Sequence, residues 1–106
     1  MQTAVLGKTG LEVTRLGAGL SEVGEEHTLD ELSHVASVLD AALDGGITFL
    51  DTAPCYFDSE EMVGRTIAHR RDEYVLATKC GHPVVGSSSE PWTARTITET
   101  LEGSLT

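Results

Sequence analysis

The chain has 106 residues, room for one small domain, and its 40% apolar content is ordinary for a globular protein. Seventeen acids against seven bases give a net charge of −10, which would repel nucleic acid and anionic membrane and so excludes both as expected partners. The sequence opens on no basic-then-apolar leader, has no apolar run of membrane-spanning length, and carries only Cys55 and Cys80, too few for a disulfide framework. A reducing cytoplasm is the expected location.

The chain starts as a β-hairpin over residues 3–15, with Ala4-Val5-Leu6 and Leu11 to Arg15 flanking the turn Gly7-Lys8-Thr9-Gly10. Leu16-Gly17-Ala18-Gly19-Leu20 reads as a small, buried strand whose glycines admit something close to the backbone. Ser21 to His27 reads as an acidic loop. Thr28 and Glu31 have capping-box spacing, and Leu32, Val35, Ala36, Leu39, Ala42 and Leu43 then recur at helical period until Asp44-Gly45-Gly46.

Ile47-Thr48-Phe49-Leu50 is a compact apolar strand closed by Asp51-Thr52-Ala53-Pro54. Asp58 or Ser59 can cap the next helix, whose apolar side is Met62, Val63 and Ile67. Tyr74 to Thr78 is a third apolar strand, ending at Lys79. A long Gly/Ser-rich loop runs from Cys80 to Pro91, and a last helix opens at Trp92 with Ile97 and Leu101 on one side. Apolar strands alternating with amphipathic helices predict an α/β fold with a parallel sheet: a hairpin, then three βα units at residues 16–45, 46–69 and 73–105.

Two phosphate-binding motifs are excluded. Gly7-Lys8-Thr9 lacks the earlier glycine of a phosphate loop, since position 2 is Gln2, and it lies in a hairpin. Gly17 and Gly19 lack the third glycine of a dinucleotide fingerprint, since position 22 is Glu22. Cys55, Cys80 and His82 lack the close ligand pairs of structural zinc sites, so no metal is expected and the thiols read as buried and inert. His27, His34 and His69 are expected to face solvent.

The informative feature is positional. Leu50 leads into Asp51 and Thr78 leads into Lys79, and the functional edge of a parallel α/β sheet lies at the carboxyl ends of its strands. Tyr56 follows Asp51 by five positions, in a loop over that edge. One reading is a structural Asp–Lys ion pair beside a packing tyrosine. The other is a proton-relay site, favoured by the placement of a lysine at the end of a core strand in a chain with only one other lysine, Lys8. An ammonium beside a phenol favours the phenolate, which would make the phenol a general acid suited to protonating a carbonyl oxygen as hydride reaches carbon.

These residues resemble the aldo-keto reductase family. Leu6 to Gly17 looks like its N-terminal hairpin running into the first barrel strand, Gly46 to Tyr56 like its signature around the catalytic Asp and Tyr, and Arg71 to Lys79 like its third strand and catalytic lysine. Asp58 to Glu61 with Gly64 resembles the start of its second helix, and Leu101 to Leu105 the helix after the third strand. The resemblance implies part of a (β/α)8 TIM barrel and NADP(H)- or NAD(H)-dependent reduction of aldehydes or ketones, or the reverse oxidation of alcohols. It implies Tyr56 as the acid, Lys79 as the group lowering its pKa and Asp51 as the orienter of Lys79. Gly19, Leu20, Ser21 and Asp51 would lie near the nicotinamide.

Phe57 stands where many members have Gly, and Leu20 where many have a small polar residue. A closed barrel needs about 250 residues, and the family's catalytic histidine follows a fourth strand that these residues do not contain. The resemblance therefore implies that this stretch is inactive by itself, with an open sheet edge prone to self-association. The rival readings are a non-catalytic interaction module pairing through that edge, and a small pyridine-nucleotide binder without turnover.

Overall fold

The computed structural model describes all residues from Met1 to Thr106. Two small sheets organise it. Strands β1 (Thr3–Val5) and β2 (Glu12–Thr14) form the antiparallel hairpin, and β3 (Ala18–Gly19), β4 (Phe49–Asp51) and β5 (Val75–Ala77) form a parallel sheet in the order β3-β4-β5. The hairpin is tied to the residues just before β4. The Thr14 N–H donates to the Thr48 hydroxyl and the Thr48 N–H to the Thr14 hydroxyl, each at 3.0 Å.

Helices α2 (Leu32–Asp44) and α3 (Ser59–Thr66) cover one face of the parallel sheet. Their apolar stripes, Val35, Leu39 and Leu43 on α2 and Met62 and Val63 on α3, close over Leu20, Leu50, Ile67 and Tyr74 as the core. Leu50 points into this layer and is fully buried, whereas its strand neighbours Phe49 and Asp51 turn to the opposite, half-open face. Arg70 fastens the far end of α2 to the connector before β5. Its guanidinium reaches Asp40 and Asp44 at 2.8 Å each and Glu73 at 2.7 Å.

Several sequence expectations shift. Ser21–Glu26 is a short helix, α1, instead of a loop, because Gly24 is buried against the chain around Tyr56 and the contact selects the helical backbone. The capping box at Thr28 and Glu31 forms, with the Glu31 carboxylate accepting the Thr28 N–H at 2.9 Å, but it opens a 3₁₀ turn before α2 begins at Leu32. The second strand starts at Phe49, since Ile47 and Thr48 serve the junction with the hairpin.

The last helix, α4 (Ala94–Ser104), is capped by Thr93, whose hydroxyl accepts the Thr96 N–H at 3.1 Å. Trp92 lies outside it, in a left-handed conformation at φ +65°. The helix buries Thr96 and Thr100, while Ile97 and Leu101 are exposed. Asp58 occupies the N-cap position of α3 without a side-chain capping bond. Cys55 is half-buried and Cys80 exposed, so neither is the buried thiol expected. His34 and His69 are exposed, but His27 is half-buried against His34 and 3.6 Å from Glu31.

Candidate active site

The parallel register places the site. Gly19 pairs with Asp51 and Asp51 with Ala77, so the carboxyl ends of all three strands lie level. The ladder runs one step further on both sides, with Leu20 N–H donating to the Asp51 carbonyl and Thr52 N–H to the Ala77 carbonyl, each at 2.9 Å. Lys79 emerges two residues beyond Ala77 and turns back over this edge.

There its Nζ donates to Asp51 Oδ2 at 2.8 Å and to the Thr52 carbonyl at 3.0 Å. It also stands 4.8 Å from the centroid of the Tyr56 ring, within cation–π range. The side chains of Lys79 and Asp51 are 46% and 44% exposed, so the pair is open to a ligand from the solvent side. Partial burial alone would lower the Lys79 pKa, but the hydrogen bond to the Asp51 carboxylate and the nearby Tyr56 together hold it above the ordinary 10.5. The ammonium is therefore fully protonated at neutral pH.

Thus Asp51, Tyr56 and Lys79 converge at one edge. The residues assigned to the nicotinamide divide. Gly19 has nothing within 4 Å of where a Cβ would stand, so its face is open. Leu20 puts its side chain in the core, and its N–H and carbonyl are both bonded within the protein. Ser21 begins α1 and is half-buried.

Sequence reasoning missed the residues that hold these groups in place. Ser59 and Thr52 are fully buried, with their hydroxyls 2.8 Å apart, and Ser59 Oγ donates to the Leu20 carbonyl at 3.1 Å. Tyr56 lies between two backbone constraints. Its carbonyl accepts the Ser59 N–H at 3.0 Å, and the following Phe57 adopts φ +49°. A positive φ is costly for any side chain but glycine. The backbone here thus explains why glycine suits the position that Phe57 fills. The sequence offers little signal for this: Thr52 and Ser59 are the only small hydroxylated residues from Asp51 to Ser59, seven positions apart.

A cavity of about 820 Å³ lies elsewhere. It separates α4 from α3 and β5 and is lined in part by Val63, Gly64, Leu76, Thr96, Thr100 and Ser104. Helix α4 bridges it through Ser104, whose hydroxyl donates to Glu60 at 2.8 Å, and through Thr100, which accepts the Gly81 N–H at 3.0 Å. Of the ionisable groups around it, Glu61 and Arg65 pair with each other and Glu60 is taken up by the hydroxyls of Thr78 and Ser104.

Comparison with known proteins identifies the family. The family model described as "Aldo/keto reductase family" matches residues 15–106. The aldo-keto reductase YhdN of Bacillus subtilis is 40% identical over 85 residues, which are 74% of this chain and 25% of that protein. L-galactose dehydrogenase of Arabidopsis thaliana is 36% identical over 109 residues, 96% of this chain and 34% of that protein. The crystal structure of PA4992 from Pseudomonas aeruginosa, assigned to the aldo-keto reductases, superposes with a TM-score of 0.80 at 36% identity, covering 97% of this chain and 40% of that one. The chain spans about a quarter of the length of the first curated relatives it matches. It belongs to the aldo/keto reductase family.

Proposed function

We propose that this chain carries the acid–base half of an oxidoreductase site that interconverts aldehydes or ketones with alcohols, within a partial (β/α)8 barrel of three βα units. The observation that carries the reading is the meeting of Asp51, Lys79 and Tyr56 at the carboxyl edge of a parallel sheet, with the ammonium 2.8 Å from the carboxylate and 4.8 Å from the phenol ring. Asp51 orients the ammonium and keeps it charged. The Tyr56 hydroxyl holds the proton that goes to the carbonyl oxygen, or takes it back from the alcohol. The Lys79 ammonium beside it stabilises the negative charge left on the phenol oxygen when the proton departs.

The edge fits a nicotinamide. The face above Gly19 is open, and Asp51 and Lys79 are about half exposed beside it. Gly19, Ser21 and Asp51 would hold that end of the cofactor, with Leu20 shaping the edge from behind. When bound, NADP(H) or NAD(H) supplies or accepts the hydride. A fourth site residue, the family's histidine, and most cofactor-holding loops belong to later strands by family analogy, so these 106 residues by themselves are assigned no turnover.

The test joins residues 1–106 to the remaining strands of the Pseudomonas aeruginosa relative and follows NADPH oxidation with a simple aromatic aldehyde. The expected result is turnover in the chimera, abolished by Tyr56→Phe, and none in the 106-residue chain. An active chimera indifferent to Tyr56→Phe refutes the acid assignment. Turnover by the 106-residue chain, lost in Tyr56→Phe, refutes its inactivity.

One observation favours a second reading, in which the chain pairs with another copy. Strand β5 has an unpaired edge, and Ile97, Leu101 and Leu105 of the neighbouring helix region are exposed. Sedimentation at rising concentration tests it, and a monomer throughout removes it.

A further inference from the structure

Ser59 is 0% exposed and stands where three site-bearing segments meet. Its hydroxyl donates to the Leu20 carbonyl at 3.1 Å, which uses its one proton. The 2.8 Å contact with Thr52 is then a bond that Thr52 donates. Its backbone N–H donates to the Tyr56 carbonyl at 3.0 Å. Thr52 in turn presents its own carbonyl to the Lys79 ammonium at 3.0 Å. One residue thus joins the end of β3, the end of β4 and the turn carrying Tyr56, and reaches the lysine beyond β5 through Thr52.

Neutral hydroxyls suit this task. Removing one leaves the polar groups it served buried without partners, so the network tolerates few alternative arrangements. The Asp51–Lys79 pair is open to solvent and cannot impose geometry of that kind.

We propose that Ser59 is a positioning residue for the Tyr56–Lys79 pair: through Thr52 and the Leu20 and Tyr56 carbonyls it sets the height at which the ammonium meets Asp51 and the phenol. The inference rests on the reading of Tyr56 and Lys79 as an acid–base pair, and its test does not depend on turnover. Lys8 and Lys79 are the only lysines, so a chain labelled with ¹³C-lysine gives two side-chain signals, with exposed Lys8 as internal reference.

Titrating the Lys79 ε-carbon shift with pH reads its environment directly. The expected result is a lower Lys79 midpoint in Ser59→Ala, restored in Ser59→Thr, and unmoved in Val35→Ala, which loosens the shared core without removing any of these hydrogen bonds. Thr52→Val breaks the same link from its other end and is expected to lower the midpoint as well. An unchanged midpoint in Ser59→Ala, or an equal change in Val35→Ala, overturns the proposal. So does failure of both Ser59→Ala and Thr52→Val to fold, which would make the hydroxyls purely structural. A shifted midpoint together with a chimera indifferent to Tyr56→Phe retains the positioning and removes the catalytic reading, so the two can fail separately.

Discussion

Gly24→Ala sets two physical effects against each other, with opposite signs. Gly24 is inside α1 at a backbone conformation open to L residues, so helix propensity alone predicts that alanine stabilises by about 0.5–1 kcal/mol. The surroundings predict the reverse. A Cβ at Gly24 would run into the carbonyl oxygen of Tyr56, come within 2.8 Å of its carbonyl carbon and approach Ser59 Cβ at 3.2 Å. Two of these neighbours are backbone atoms, fixed by the Ser59 N–H bond to that carbonyl, so they cannot rotate away. Overpacking of this kind costs about 1–3 kcal/mol and exceeds the propensity gain, so the net expectation is a loss of roughly 1–2 kcal/mol. Gly64→Ala is the matched control, because Gly64 is inside α3 with nothing within 4 Å of its Cβ position. It should stabilise by about 0.5–1 kcal/mol. Urea denaturation of the three chains at one protein concentration measures both. A Gly24→Ala chain as stable as Gly64→Ala would refute the claim that α1 is pressed against the Tyr56 backbone.

Three further outcomes follow from the same geometry. Phe57→Gly relieves a left-handed backbone at φ +49°, a gain of about 1–2 kcal/mol offset by about 0.5–1 kcal/mol of chain entropy, so the urea midpoint should hold or rise slightly, and a marked fall would count against the strain. The Lys79 pKa is raised on folding, so its contribution to stability is complete below the ordinary 10.5 and fades as pH climbs through the higher folded value. With both partners nearly half exposed, that contribution is at most about 1 kcal/mol, and Asp51→Asn should flatten the alkaline limb of a stability–pH curve. Arg70→Gln unties Asp40, Asp44 and Glu73 at once and should lower Tm, more at low salt than at high salt, while identical losses at both would point to packing instead of charge.

The fold was legible where a single periodicity ruled. Val35, Leu39 and Leu43 announced α2, and Met62 and Val63 announced α3, because one apolar stripe on each helix meets one sheet face. The end of β4 at Asp51 was equally readable, and that of β5 to within two residues, since a charge that closes an apolar run marks where a chain leaves the sheet; β5 stops at Ala77 and Lys79 lies just beyond it. What the sequence hid was tertiary in origin. Helix α1 has an acidic, glycine-containing sequence that reads as a loop, and only the fit of Gly24 against Tyr56 makes it helical. Helix α4 reads as burying Ile97 and Leu101, yet Thr96 and Thr100 face inward because their hydroxyls bond to the chain nearby, at Glu90 and Gly81. The roles of Ser59 and Thr52 depend on hydrogen bonds that span up to 39 positions, which no local pattern can express.

The site therefore separates chemistry from support. Its charged members, Asp51 and Lys79, lie close enough to water that their attraction is screened, and such a pair contributes too little to hold three strand ends in line. What aligns those ends carries no charge: the backbone ladder from Gly19 through Asp51 to Ala77, its extension at Leu20 and Thr52, and the buried hydroxyls of Thr52 and Ser59 behind it. Exposure that weakens the ion pair as a stabiliser is what a proton-transfer group needs, because a substrate must reach it. Burial of the hydroxyls serves the opposite need, since an acid–base group helps only when it is already placed where the proton must go. On the reading proposed for them, Asp51, Tyr56 and Lys79 can thus remain accessible without becoming loose, because the residues proposed to fix their positions are not the residues that would react.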